Sequence, residues 1–248
     1  MKNFELISFP NADELASRAA GAWLDEIESA NRAGKTHCVA LSGGRITQKF
    51  FAATVEQAGL RKIGDGGTPS LPANVHFFWA DERCVPPTSP ESNFKLASEF
   101  LFAPLKIPAN QIHRIRGELA PVEAVKMANN EIHHFTLANE NDFPALDLIF
   151  LGMGEDGHVA SLFPNAPSKI FNCAVPFLAV ENSPKPPPKR VSMSYTAIAA
   201  AKQVWVLVSG GGKETALRES LNADGQTPLA RVMRSRSQTI IFSDVQAG

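Results

Sequence analysis

Five short runs rich in β-branched and aromatic residues punctuate this chain: Thr36–Leu41, Val75–Trp79, Leu146–Leu151, Val204–Val208 and Gln238–Phe242. Between them lie longer stretches with helical patterning, Thr47–Gly59, about Ser92 to Phe102, Val122–Ala138 and a last one from about Lys213. Strands alternating with helices predict an α/β fold, a mainly parallel sheet with helices on both faces, because parallel neighbours need a long crossover between them. The run LDLIFL is almost wholly apolar, as a strand buried on both faces must be. In such folds ligands bind outside the carboxyl ends of the strands, so the turns at those ends are where chemistry is expected.

With 44% hydrophobic residues in 248, one domain over residues 1–248 has ample material for a core. The biased segment SPKPPPKR, residues 183–190, reads as a stiff extended crossover rather than a boundary. The stretch C-terminal to it is too short to bury a core alone. Twenty-four Lys and Arg against 25 Asp and Glu give a net charge of -1, which offers no overall field for nucleic acid or a membrane surface but leaves local cationic pockets open. Cys38, Cys84 and Cys173 are odd in number and lack a C-x-x-C pair, so neither a disulfide framework nor a zinc knuckle is expected. The N-terminus lacks a secretory pattern and no apolar run could span a bilayer, so the expectation is a cytoplasmic protein, with a monomer favoured.

Four turns carry the polar chemistry: Ser42-Gly43-Gly44-Arg45-Ile46-Thr47, Ala80-Asp81-Glu82-Arg83, Gly152-Met153-Gly154-Glu155-Asp156-Gly157-His158 and Ser209-Gly210-Gly211-Gly212-Lys213. Read as strand-to-helix turns of one sheet, all four would share one rim. SGGRIT and SGGGK have the form strand, glycines, helix start, where free backbone N–H groups and the helix dipole favour a phosphate. One such loop is more often just a tight turn; two, each with a cation, point to an anion. Neither is a Walker A motif, since Glu214 comes after Lys213 and Ser29 stands where Gly34-Lys35-Thr36 would need its upstream glycine. GMGEDGH matches G-x-G-x-x-G, but Pro164 and Pro167 interrupt the long helix a dinucleotide site needs, and no acidic partner stands at a later strand end.

His158 differs from His37, His76, His113, His133 and His134, which are expected to be structural, because it comes after glycines and an aspartate at a strand end. Histidine can take and return a proton near neutral pH. No H-E-x-x-H or other metal-ligand spacing surrounds it, and no G-x-S-x-G supplies a serine nucleophile. General acid/base chemistry on a small phosphorylated molecule is what remains.

LSGGRIT, FFWADERCVPPTSPESN, IHRIRGE, LDLIFLGMGEDGHVASLFP, PKPPPKRVSMSY and VWVLVSGGGKETAL, in this order from about residue 10 to 242, resemble the 6-phosphogluconolactonases, in a superfamily that also holds glucosamine-6-phosphate deaminases. The resemblance implies a Rossmann-like fold, no cofactor, and hydrolysis of 6-phospho-D-glucono-1,5-lactone in the oxidative pentose phosphate pathway. It implies that Ser42, Gly43, Gly44 and Arg45 line the sugar phosphate, and that Arg83 is the substrate-binding arginine of the DER segment, with Asp81 facing the sugar. It makes His158 the general base with Asp156 beside it, and assigns Arg190 and Lys213 to the phosphate. The chain departs from the family's S-G-G-[SR]-T-P pattern, with Ile46 between Arg45 and Thr47 and Gln48 in place of proline, which puts Thr47 in question. A deaminase would carry a glutamate in a segment like GHIAFNEP, and Phe163 stands where that acid would lie. A catalytically silent sugar-phosphate sensor is the other alternative, opposed by retention of His158, Asp156 and Asp81.

Overall fold

The computed structural model describes residues 3–61, 71–136, 143–171 and 173–246. Its centre is a sheet of six parallel strands: β1 (Glu5–Ser8), β2 (His37–Leu41), β3 (Val75–Trp79), β5 (Leu148–Gly152), β8 (Gln203–Val208) and β9 (Ile240–Ser243), in the order β1-β9-β8-β5-β2-β3. β2 and β3 pair from His37 with Val75 to Leu41 with Trp79, and β5 and β8 from Leu148 with Gln203 to Gly152 with Leu207. Every pairing is parallel, so the carboxyl ends of β2, β3, β5 and β8 open on the same side. The expected α/β class holds.

Two elements absent from the sequence reading, β1 and helix α1 (Ala12–Arg32), complete the near end. Leu15, Ala19, Trp23 and Ile27 recur every fourth residue, a helical stripe that α1 buries. Asn11 starts it by accepting the backbone N–H groups of Asp13 and Glu14. The Trp23 ring packs at 5.5 Å from Phe50 of α2 (Arg45–Leu60) and 5.3 Å from Phe150 of β5, which joins both helices to the sheet. Its indole N–H donates to His37 Nε2 at 3.3 Å.

The helix expected at Ser92–Phe102 is α3 (Asn93–Ala97), continued by a wider π-type turn at Ser98–Phe102 into α4 (Ala103–Leu105). α5 (Pro121–Phe135) replaces the longer span to Ala138, whose last two positions lie outside the described residues. The imidazoles of His76 and His113 are 2.9 Å apart between ring nitrogens, and His113 meets Glu131 at 2.8 Å.

Ala80–Arg83 is not a strand-to-helix turn. Asp81–Arg83 forms β4, which pairs antiparallel with β7 (Arg190–Met193), itself paired with β6 (Phe177–Val180), in a second, three-stranded sheet. The cause is Glu82: its buried carboxylate accepts the backbone N–H of Arg83, Asn93 and Phe94 and the Ser92 hydroxyl, and so holds the chain extended at the start of α3. Nor does GMGEDGH lead into a helix; Met153 and Leu162 each bridge to Val159 in a tight double turn. The remaining helices are α6 (Ser168–Phe171), α7 (Tyr195–Ala200), α8 (Glu214–Leu221) and α9 (Pro228–Arg234). No helix among the described residues is long and apolar enough to cross a membrane.

Candidate active site

A crevice of about 160 Å³ opens at the carboxyl ends of the central strands. Ser42, Gly43, Gly44, Arg45, Asp81, Arg83, His158, Arg190 and Lys213 all line it. Of the residues singled out from sequence only Asp156 does not; it stands behind His158.

His158 Nδ1 lies 2.5 Å from Asp156 Oδ1, and the same oxygen accepts the His158 backbone N–H at 3.3 Å. The carboxylate can only accept, so Nδ1 carries the proton and Nε2, with no partner among the described residues, keeps its lone pair. A Cβ at Gly154 would fall 2.1 Å from the imidazole, so only glycine lets the ring fold back over its own turn. The imidazole also packs on Phe163, centroids 4.5 Å apart. Burial lowers the His158 pKa; Asp156 opposes this, Lys185 adds to it and Asp81 opposes it. Burial pushes the Asp156 carboxyl up, but its hydrogen bonds and charge pairing with His158, helped by Lys185, take it below the ordinary value. The pair is therefore a neutral base held by an ionised acid at pH 7.

Asp81 is fixed at both oxygens. Ser161 donates its hydroxyl to Oδ2 at 2.6 Å, and Asn93 Nδ2 reaches Oδ1 at 3.3 Å and the Asp81 carbonyl at 2.9 Å. Asn93 also forces the first loop to be glycine, since a Cβ at Gly43 would lie 1.9 Å from its side-chain oxygen. The Ser42 hydroxyl donates to the Phe150 carbonyl at 2.8 Å, tying the end of β2 to β5. Thr47, left open by the altered loop, is buried and donates to the Gly43 carbonyl at 3.0 Å, so it braces the turn.

The cations divide into two kinds. Arg190 is buried and makes four hydrogen bonds: to the carbonyls of Lys185, Pro186 and Pro187 at 3.0 to 3.1 Å, and to Ser161 Oγ at 3.4 Å. Of its five N–H groups one is left for a ligand, so Arg190 chiefly clamps the proline-rich strap. Arg83 gives one bond, to the Glu91 carbonyl at 2.7 Å, and its Nε is buried without a partner. Arg45 and Lys213 form no ion pair among the described residues. Burial pushes the Lys213 pKa down and the Arg45 charge adds to it, against the pull of Asp244 and Glu155. The start of α2 lacks both a side-chain cap and an acidic residue in its first turn. Cations without an ion pair beside uncapped helix N–H groups give this end of the crevice the electrostatics that suit an anion.

Asn93, Ser161 and Lys185 were not found from sequence. Asn93 reads as a helix-start residue and Lys185 as part of a proline run; their place in the site depends on contacts across the fold. Among the described residues no three His, Cys, Asp or Glu side chains converge to suit a metal ion.

Residues 10–241 match the family model described as glucosamine-6-phosphate isomerases/6-phosphogluconolactonase. A 6-phosphogluconolactonase of Mycobacterium tuberculosis is 32% identical over 96% of this chain and 95% of its own, and one of Streptomyces coelicolor 30% identical over 98% and 93%. The crystal structure of a Thermotoga maritima 6-phosphogluconolactonase superposes with a TM-score of 0.77 at 27% identity, covering 97% of this chain and 98% of that one. With the fold, the glycine-lined crevice and the matched length all in agreement, the chain belongs to the glucosamine-6-phosphate isomerase/6-phosphogluconolactonase family.

Proposed function

We propose that the chain is a 6-phosphogluconolactonase, hydrolysing 6-phospho-D-glucono-1,5-lactone to 6-phospho-D-gluconate. The observation that carries this is the Asp156–His158 pair, 2.5 Å apart, in a crevice whose cations Arg45 and Lys213 have no acidic ion-pair partner among the described residues. The phosphate lies against Arg45, Lys213 and the Gly43-Gly44 turn, with one N–H of Arg190 available to it. Asp81 and Arg83 face the sugar hydroxyls.

His158 Nε2 takes a proton from water as the oxygen attacks the lactone carbonyl carbon. The tetrahedral intermediate collapses by breaking the bond to the ring oxygen, and the imidazolium returns the proton to that oxygen. General-base catalysis of this kind supplies about 10²- to 10⁴-fold, and anchoring the phosphate converts the attack into a positioned event. The lactone is an activated ester, so no covalent intermediate is required. The reaction uses no cofactor, and a cytoplasmic monomer remains the reading from sequence.

Phe163 separates this from deamination of glucosamine 6-phosphate. Opening an aminosugar ring and moving a proton between carbons needs several acid/base groups, and an apolar ring packs on His158 where a deaminase would place its glutamate. Purified protein given each substrate decides: rapid acid release from the lactone above spontaneous opening, and no ammonia from glucosamine 6-phosphate. Ammonia release at a rate rivalling hydrolysis would make the chain a deaminase.

A further inference from the structure

Phe163, which packs on His158, also lines a second cavity, about 200 Å³ in volume, that shares no lining residue with the crevice. Its wall is aromatic and cationic: Phe163, Phe171 and Tyr195 with Arg231 and Arg234, and no acidic side chain among the residues that line it. The Arg231 guanidinium carbon lies 4.5 Å from the Phe171 ring centre and 5.1 Å from that of Tyr195. Its one hydrogen bond, to the Phe171 carbonyl, is long at 3.4 Å, and it has no ion-pair partner among the described residues. Tyr195, the only tyrosine in the chain, is 5% exposed and lines the same cavity. Burial pushes its pKa up to about 12, so the group is a proton donor throughout the neutral range.

A guanidinium over two aromatic rings with no ion-pair partner among the described residues, and a tyrosine lining the same cavity, suit one partner, a planar oxyanion. A void on the order of 150 Å³ accepts a benzene ring. We propose that this cavity is a second ligand site, taking a small aromatic carboxylate. The carboxylate meets Arg231 and the Tyr195 hydroxyl, and the ring lies against Phe163 and Phe171. An occupant there touches the ring that backs His158, which places the site within reach of the catalytic pair.

Calorimetric titration of the full chain with benzoate tests this without reference to catalysis. Saturable binding is expected, weakened roughly tenfold or more by Arg231→Leu and by Tyr195→Phe, unchanged by Lys213→Ala, and not displaced by 6-phosphogluconate. Should Arg231→Leu fail to fold, Tyr195→Phe, which removes one oxygen, decides alone. No saturable binding to the wild type at millimolar benzoate, or binding lost with Lys213→Ala and kept in Tyr195→Phe, overturns the proposal. Inorganic phosphate displacing benzoate at lower concentration than benzoate itself needs would overturn the choice of an aromatic carboxylate.

Discussion

Asp156→Asn keeps the size of the side chain and removes what orients His158. In the native site one ionised oxygen receives both the Nδ1–H, at 2.5 Å, and the backbone N–H of the same residue, at 3.3 Å. A neutral amide offers a donor as readily as an acceptor, so Nδ1 is no longer bound to be the protonated nitrogen and Nε2 is no longer bound to be the base. A hydrogen bond to a charged group is worth about 1.5–3 kcal/mol. If that preference operates in the transition state, kcat falls about 10- to 150-fold. The pH dependence shifts in a defined direction. Burial, the largest influence on His158, lowers its pKa, and Asp156 is the main opposition. With that negative charge gone the imidazole protonates at lower pH, so the acidic limb of kcat/KM moves down even as its plateau drops. The assay is proton release from freshly prepared lactone, corrected for spontaneous hydrolysis at each pH. A folded variant with kcat within a factor of two and an unmoved acidic limb would refute the role given to Asp156, and a limb moved upward would refute the electrostatic argument.

Lys213→Ala removes one of the two cations proposed to anchor the phosphate at the glycine turns and should lower kcat/KM for the phosphorylated lactone about 10- to 150-fold, with little change for unphosphorylated gluconolactone; equal losses on both would make Lys213 structural. Burial lowers the pKa of His37, His76, His113 and His158 in the folded chain, so the unfolded chain binds more protons as pH falls below about 6.5. The urea midpoint should therefore fall from pH 7.5 to 5.5, before carboxylates titrate, and a flat midpoint across that window would contradict the buried, neutral state of these rings.

The parallel sheet was legible because its strands are apolar runs: β3 begins and ends where the pattern VHFFW does. β5 starts two residues late, at Leu148, for a reason no hydropathy pattern contains. Asp147 is spent outside the strand, accepting the Cys38 N–H at 2.7 Å and the Lys202 ammonium at 2.7 Å. β4 escaped notice because Asp81 and Glu82 are buried by hydrogen bonds rather than by apolarity. α1 was hidden by a start in which Pro10, Asn11, Asp13 and Glu14 look like surface, although Asn11 is its cap. The site divides along the same line. Glycines, His158 and the loop cations announce local chemistry and were found. Asn93 and Ser161 act on Asp81 from 12 and 80 residues away, and only the folded chain brings them there.

Local rules of stability are broken around the crevice, and the breaks there share a sign. The start of α2 is uncapped, with no acid in its first turn to meet its dipole. Lys213 sits close enough to Arg45 for the two charges to disfavour each other, although Asp244 and Glu155 could have been placed to pair with them. Arg83 keeps a buried Nε with no acceptor. Each feature costs free energy, and a phosphate held as proposed by Arg45, Lys213 and the start of α2 would offset the first two. His158 breaks the rule in the opposite sense, since burial beside Phe163 keeps it neutral among these cations although Asp156 favours its charge. Phosphate binding alone would gain from a protonated histidine, a further positive charge. Cations gathered around one uncharged histidine are what the proposed hydrolysis of a phosphorylated lactone asks of the site: an anchor for the phosphate and, beside it, a group able to take a proton.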